Sequence, residues 1–290
     1  MDKQLIAERF AKARNTYGRE ARVQQQVAEK MLHLLTEYAV RSNRTALNTL
    51  ATPGNLAAAN ALAFSPRFRH IVEFGCGTGC YSRLLLQALQ PQTLLLNDLC
   101  HEMEECIKDV CPSAPLQVTE QQPALSPPTA VHFSPGDAEQ MDFPQGTDLI
   151  TSCSTLQWFS HPESFFLRCH RFLADDGILA FSTFGKKNMQ EIRRLTGNGL
   201  DYLPLAELHS LLSPRFDLLY ASEELVSLPF STPLQVLQHL KQTGVTGTEK
   251  KMWTRGRLQD FCNNYVRHFS DANRQVLLTY HPIYIIAKKK

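Results

Sequence analysis

Gly75, Gly77 and Gly79 stand at alternate positions in VEFGCGTGC, directly after an apolar run that begins at Ile71. That spacing lets the backbone turn tightly and brings amide groups against a ligand with no Cβ in the way. Three acids accompany it: Glu73 two places before the first glycine, Asp98 closing LLLND, and Asp137 in SPGDAEQ. A carboxylate about 20 residues beyond such a turn can accept both hydroxyls of a ribose. One at the end of the next strand sits where an adenine amino group would lie. Asp98 alone could be no more than a helix-start acid. Three acids at three successive strand ends point to a nucleoside-bearing ligand.

Two ligand classes use such turns. A dinucleotide site takes G-x-G-x-x-G, with glycine or alanine at the third place. Here that place is Cys80, and the third glycine falls one residue early. An adenosylmethionine turn has an acid two places before G-x-G-x-G, which Glu73 and GCGTG supply. Enzymes that methylate amino groups of nucleobases or glutamine carry an N/D-P-P-Y-type turn after the fourth strand. This chain has SCSTLQWFSHP from Ser152 to Pro162. A carboxylate, hydroxyl or carbon acceptor follows, rather than an amide nitrogen. The sequence contains no obvious His–Asp pair.

The elements that must position these residues begin with helical periodicity over Asp2 to Ala39, marked by Leu5, Phe10, Ala13, Val23, Val27, Met31, Leu32 and Leu35. Asn15-Thr16-Tyr17-Gly18 should break it into two helices, with Tyr17 at the break. TPGNLAAANALAFSP, between Pro53 and Pro66, reads as a short helix. Strands are expected at His70–Phe74, Thr93–Asn97, Ala130–Ser134, Asp148–Ser152 and Ile178–Phe184. Helices fit Cys80–Ala88, His101–Val110 and Pro162–Phe172. Strands alternating with helices imply right-handed crossovers and a mostly parallel sheet. Cys111–Pro128, with five prolines, reads as a loop. DYLPLAELHSLL reads as a helix from near Pro204, and RFDLLYASEELVSLPF as a long strand or hairpin. Two helices near Pro233–Thr243 and Thr254–Phe269, followed by the closing strand in VLLTYHPIYIIAKKK, would form a lid over the sheet edge.

Composition bounds the rest. The 290 residues are 43% hydrophobic, enough for a substantial core, and carry a formal net charge of +2. That balance does not suggest a nucleic-acid binder. No apolar window is long enough for a membrane span, and the start, MDKQLIAERF, has no signal-peptide core. A cytoplasmic protein with no membrane partner is expected. The eight cysteines show no paired CxxC spacing, so they read as reduced thiols and no metal site is expected.

Between Ile71 and Phe184 the chain resembles the class I adenosylmethionine-dependent methyltransferases, including LADDGILAFSTF, where Gly177 would turn before strand five. The resemblance implies a doubly wound α/β fold with a mostly parallel seven-stranded sheet. It also implies one domain over residues 1–290: a helical segment to residue 69, a cofactor core over 70–184, and a sheet half over 185–290 with a lid at about 233–270. S-adenosyl-L-methionine would then be bound by Glu73, Gly75, Cys76, Gly77, Thr78, Gly79, Asp98, Leu99, Asp137, Ala138 and Cys153.

Nearly end to end, the chain also resembles the malonyl-acyl-carrier-protein O-methyltransferases of biotin synthesis. FAKARNTYGREARVQQQVAEKML matches that family's N-terminal helix pair and STLQWF its strand-four signature. LQHLKQTGVTGT matches its lid helix, and LLTYHPIYIIAKK its last strand. Cys153 stands where an asparagine is frequent, and the loops at Ala46–Pro66 and Cys111–Pro128 are longer than usual. The family chemistry is transfer of a methyl group to an already ionised carboxylate. Tyr17, Gln157 and Trp158 are the candidates for positioning it. The implied partner is an acidic acyl carrier protein bearing a malonyl group. Its dock would be among Lys186, Lys187, Arg193, Arg194, Lys241, Lys250, Lys251, Arg255 and Arg257, and the enzyme itself is expected to be a monomer. Three rival readings differ: a methyltransferase of quinone rings or fatty acyl carboxylates, a non-catalytic methyltransferase-like partner, and a dinucleotide-dependent oxidoreductase. Cys80 and Glu73 disfavour the last.

Overall fold

A computed structural model describes residues 2–50, 68–111, 129–245 and 253–290, with backbone alone for 42–50. The expected helix in TPGNLAAANALAFSP, the loop to Pro128, and Lys250 and Lys251 lie outside the described residues.

The N-terminus forms α1 (Lys3–Glu20) and α2 (Arg22–Leu50). Asp2 caps α1 by accepting from the Leu5 amide at 2.9 Å. The break falls at Ala21, not across Asn15–Gly18 as expected. Helix propensity disfavours glycine by only about 1 kcal/mol, and tertiary bonds override it here. Thr16 Oγ1 donates to Gln242 O at 2.8 Å, and the Gln25 side chain donates to Gly18 O. Tyr17 therefore projects from the last turn of a continuous helix.

The core alternates β1 (His70–Phe74), α3 (Cys80–Leu89), β2 (Thr93–Asp98), β3 (Ala130–Pro135), β4 (Thr147–Cys153), α4 (Pro162–Phe172) and β5 (Leu173–Phe184). Next come α5 (Gln190–Thr196), α6 (Leu205–Leu212), β6 (Phe216–Glu223), β7 (Val226–Phe230), α7 (Pro233–Gln242), α8 (Arg255–Phe269), β8 (Val276–Tyr280) and β9 (Pro282–Lys289). Seven strands form one sheet in the order β3-β2-β1-β4-β5-β9-β6, with β9 antiparallel to both neighbours. The other pairings are parallel. Strands such as IVEF and IYIIA are buried on both faces, as a sheet covered by helices on each side requires. Ile71, Leu149, Ile178 and Ala180 face the cluster that holds α2 and the lid helices. Val72, Ile150, Leu179 and Phe181 face the cluster around α4 and α6.

Several boundaries differ from expectation. His101–Ile107 is a 3₁₀ helix rather than an α-helix reaching Val110. Arg83 takes the Cys106 carbonyl at 2.9 Å while it grips both oxygens of Asp109, so that carbonyl is drawn out of an α ladder. Gly177 lies inside β5, next to Asp176 at positive φ and a register irregularity, not before the strand. RFDLLYASEELVSLPF is neither one strand nor a hairpin. β6 joins the main sheet, whereas β7 pairs with β8 in a separate ribbon. VLLTYHPIYIIAKKK is likewise two strands parted at His281. The lid helices α7 and α8 sit between β7 and β8, so this ribbon staples them over α1 and α5 rather than over the sheet edge.

Asn97 holds the strand ends together. Its backbone carbonyl accepts from Cys76 N at 2.9 Å, and its side chain donates to Ser134 O and Gly136 O at 3.0 and 2.9 Å. Asn97→Ala would strand buried carbonyls. It should destabilise the protein by about 1–3 kcal/mol, read as a lowered denaturant midpoint. An unchanged midpoint would show that this node is not structural.

Candidate active site

The glycine turn opens a cleft of about 710 Å³ at the carboxyl ends of the parallel strands. Gly75, Gly77 and Gly79 all have positive φ. A Cβ on Gly75 would collide with Thr155, whereas one on Gly77 would point into open space. The turn thus keeps a vacancy at Gly77 that the protein does not fill. Asp98 faces that space, accepting from Gly77 N through Oδ2 and from Cys100 N through Oδ1, both at 2.8 Å. Burial pushes its pKa up to about 6, against the pull of these two amides. Leu99, Ala138 and Asp137 line the same cleft.

Asp137 is not free. Its Oδ1 accepts from Lys3 Nζ at 3.2 Å, and Lys3 also meets Glu139 at 2.5 Å. Lys3 lies 4.9 Å from the Phe159 ring centre, so α1 is latched over this end of the cleft by charge and by an aromatic face. The sequence reading did not include Lys3, because nothing local to it signals the contact.

Two smaller cavities adjoin the cleft. The second, of about 490 Å³, is lined by Glu73, Cys76, Thr78, Cys80, Cys153 and Gln24 among others. Burial raises Glu73 to about 8, with nearby Ser82 lowering it less. Even so, neither Glu73 Oε2 nor Ser82 Oγ finds a hydrogen bond of normal geometry. Burial also pushes the Cys76 and Cys153 thiols well up, so both stay neutral. The third cavity, of about 320 Å³, lies between Phe10, Trp158, Phe184, Tyr202 and Val245. No lysine, arginine or histidine lines the second or the third cavity among the described residues.

Tyr17 and Ser154 line all three compartments. Ser154, which the sequence reading passed over, has φ +59 and a buried hydroxyl with no partner. Such strain in a non-glycine residue is a mark of functional sites. Enclosure pushes the Tyr17 hydroxyl up, so it is a neutral donor. Trp158 packs edge-on against Phe10 at 5.5 Å and walls both the cleft and the third cavity. Gln157 borders the third cavity. It donates to Ser154 O at 2.5 Å and accepts from Thr183 Oγ1 at 3.2 Å. It thereby braces the loop after β4 and keeps one N–H beyond these two bonds.

The basic residues of the lid region are scattered. Arg193 pairs with Asp201 at 3.1 Å, Arg194 lies over Phe269, and Arg257 over Trp253. Lys186, Lys187, Lys241 and Arg255 are exposed.

A family model described as a methyltransferase domain matches residues 72–181. A malonyl-[acyl-carrier protein] O-methyltransferase of Bacteroides helcogenes is 62% identical over 291 residues, covering all of both chains. One from Bacteroides thetaiotaomicron is 48% identical over 100% of this chain and 99% of that protein. One from Bacteroides fragilis is 50% identical over 99% of this chain but only 51% of its own length. Among solved structures, a Bacillus halodurans protein described as a methyltransferase aligns with a TM-score of 0.56 at 14% identity, over 81% of this chain and 99% of that one. The YcgJ protein of Bacillus subtilis aligns with 0.54 at 15%, over 81% and 97%. At such identities the structural likeness shows the fold.

The environment of Glu73 has a measurable consequence. Its folded-state pKa of about 8 lies above the ordinary 4.5, so its contribution to stability is whole below pH 4.5. That contribution is lost as pH rises through 8. Glu73→Gln cannot ionise, so it should match the parent near pH 4.5 and exceed it by pH 8.5 by on the order of a few kcal/mol. Denaturant titration across that range checks this; parallel curves would mean that Glu73 is not held protonated.

Proposed function

Because the chain belongs to the malonyl-[acyl-carrier protein] O-methyltransferases, we propose that it methylates the free carboxylate of malonyl-acyl carrier protein, drawing the methyl group from S-adenosyl-L-methionine. The product would be the malonyl methyl ester that primes pimeloyl synthesis for biotin. The observation that carries this reading is the join of three compartments at Tyr17 and Ser154, with no basic side chain in the third among the described residues.

The cleft suits the donor. Its polar wall is Asp98 and its glycine floor leaves room at Gly77, while buried acceptors without partners wait in the second cavity. When bound, the donor supplies an electrophilic methyl group on a cationic sulfur. Asp98 takes the ribose hydroxyls, and Leu99, Asp137 and Ala138 border the base. Gly75, Cys76, Thr78, Gly79 and Cys153 shape the space for the amino-acid end. Tyr17 and Ser154 offer hydroxyl donors where methyl and acceptor meet, and Phe10 and Trp158 exclude water.

A malonyl carboxylate is ionised at neutral pH, so no side chain has to remove a proton. A fixed lysine or arginine would steady the carboxylate before reaction more than during it, when its charge is being lost. Neutral donors orient it without that penalty and leave the cationic sulfur as its electrostatic partner. In-line alignment then supplies most of the acceleration.

For the acidic carrier, the exposed Lys241 and Arg255 on the lid are the first docking candidates. Arg193, Arg194 and Arg257 are partly engaged within the chain. Reversing charge at Lys241 and Arg255 should raise KM for carrier-bound malonyl, less so at high salt, and affect a short malonyl thioester little. Equal effects on both substrates would remove the dock from this face.

The reading is tested by incubating the protein with labelled adenosylmethionine and a panel of malonyl thioesters, carrier-bound and CoA-bound, with mass spectrometry of the products. Label on the malonyl carboxylate is expected; no label on any malonyl thioester, with label on a quinone or a fatty acid offered in parallel, would overturn it. At saturating donor the rate should stay flat between about pH 6 and 8, whereas a tenfold rise per unit would point to a hydroxyl or carbon acceptor. Asp98→Ala should weaken adenosylhomocysteine binding by about 1–3 kcal/mol in calorimetry. Gly77→Val should weaken it more, by filling the vacancy.

A further inference from the structure

Gln24, on α2, is 8% exposed and lies between the second and third cavities. Its amide carries a single acceptor atom, the carbonyl oxygen.

That oxygen, Oε1, is buried without a hydrogen-bond partner. Glu73 Oε2 is in the same condition and lines the same second cavity. Buried acceptors are rarely left unpaired, because each forfeits its bonds to water. Two of them lining one cavity with no lysine or arginine among the described residues suit a ligand with several N–H donors and a positive charge. The Gln24 carbonyl oxygen can only accept, so the atom that meets it must be a donor rather than a carboxylate oxygen.

We propose that Gln24 Oε1, together with Glu73, receives the α-ammonium group of the methyl donor's amino-acid end. Gln24 is thereby a donor-binding residue. The assignment rests on the reading of the donor as adenosylmethionine, and its test is built to separate the two.

Calorimetry on the full chain would compare four ligands: adenosylhomocysteine, its deaminated form, its decarboxylated form, and methylthioadenosine, which lacks the amino-acid end. Gln24→Leu should weaken adenosylhomocysteine and the decarboxylated ligand about tenfold, the loss of one charge-assisted bond. It should leave the deaminated ligand and methylthioadenosine unchanged. Gln24→Glu, which keeps an acceptor, should restore most of the loss. Gln24→Met replaces the leucine variant if that protein does not fold. A loss that persists with the deaminated ligand and vanishes with the decarboxylated one would place Gln24 on the carboxylate and overturn the proposal. Equal losses for all four ligands would make Gln24 a structural support. Unchanged donor affinities with a raised KM for the acyl substrate would move it to the acceptor cavity. Either result overturns the proposal. A parent protein that binds none of the four would refute the donor reading itself, and the assignment with it.

Discussion

The bond from the Gly77 amide to the Asp98 carboxylate, 2.8 Å long, is the contact on which the site depends. It joins the turn after β1 to the end of β2 and orients the carboxylate toward the space that Gly77 leaves open. Asn97, one residue earlier, extends the tie to β3 through Ser134 and Gly136. Three strand ends are thereby held in one plane of function. The arrangement costs something: burial raises Asp98 to about 6 and Glu73 to about 8. A scaffold optimised only for stability would not keep two carboxyls there.

The other half of the site is brought from far away in sequence. α1 lies across the cleft, held by Lys3 on Asp137 and Glu139 at one end and by Thr16 on Gln242 at the other. Phe10, Tyr17 and Trp158 form an aromatic seam between them. The lid reaches this seam at Gly244, where an added Cβ would press on Phe10. Helix, lid and the loop after β4 thus close around one volume, and each supplies one wall.

Much of this was legible in the sequence, because its signals were local. The glycine rhythm, the acids at strand ends and the βα alternation all follow from backbone conformation and burial period, which neighbouring residues dictate. β1 and α4 fell where the pattern put them. The positive φ of Gly77 was legible because it is a backbone property that glycine alone adopts freely.

What only the tertiary structure decided involves partners distant along the chain. Nothing near Lys3 announces Asp137, 134 residues away. The ribbon of β7 and β8 arises because β9 takes the central place beside β5, so the run after Phe216 must divide between two sheets. Gln157 looks like a substrate handle in sequence, and only the structure shows that it also braces Ser154 and Thr183. Ser154 and Gln24 look ordinary, yet folding buries each with an unpaired oxygen. Hydrogen-bond satisfaction depends on every neighbour in space, and a sequence shows only the neighbours along the chain.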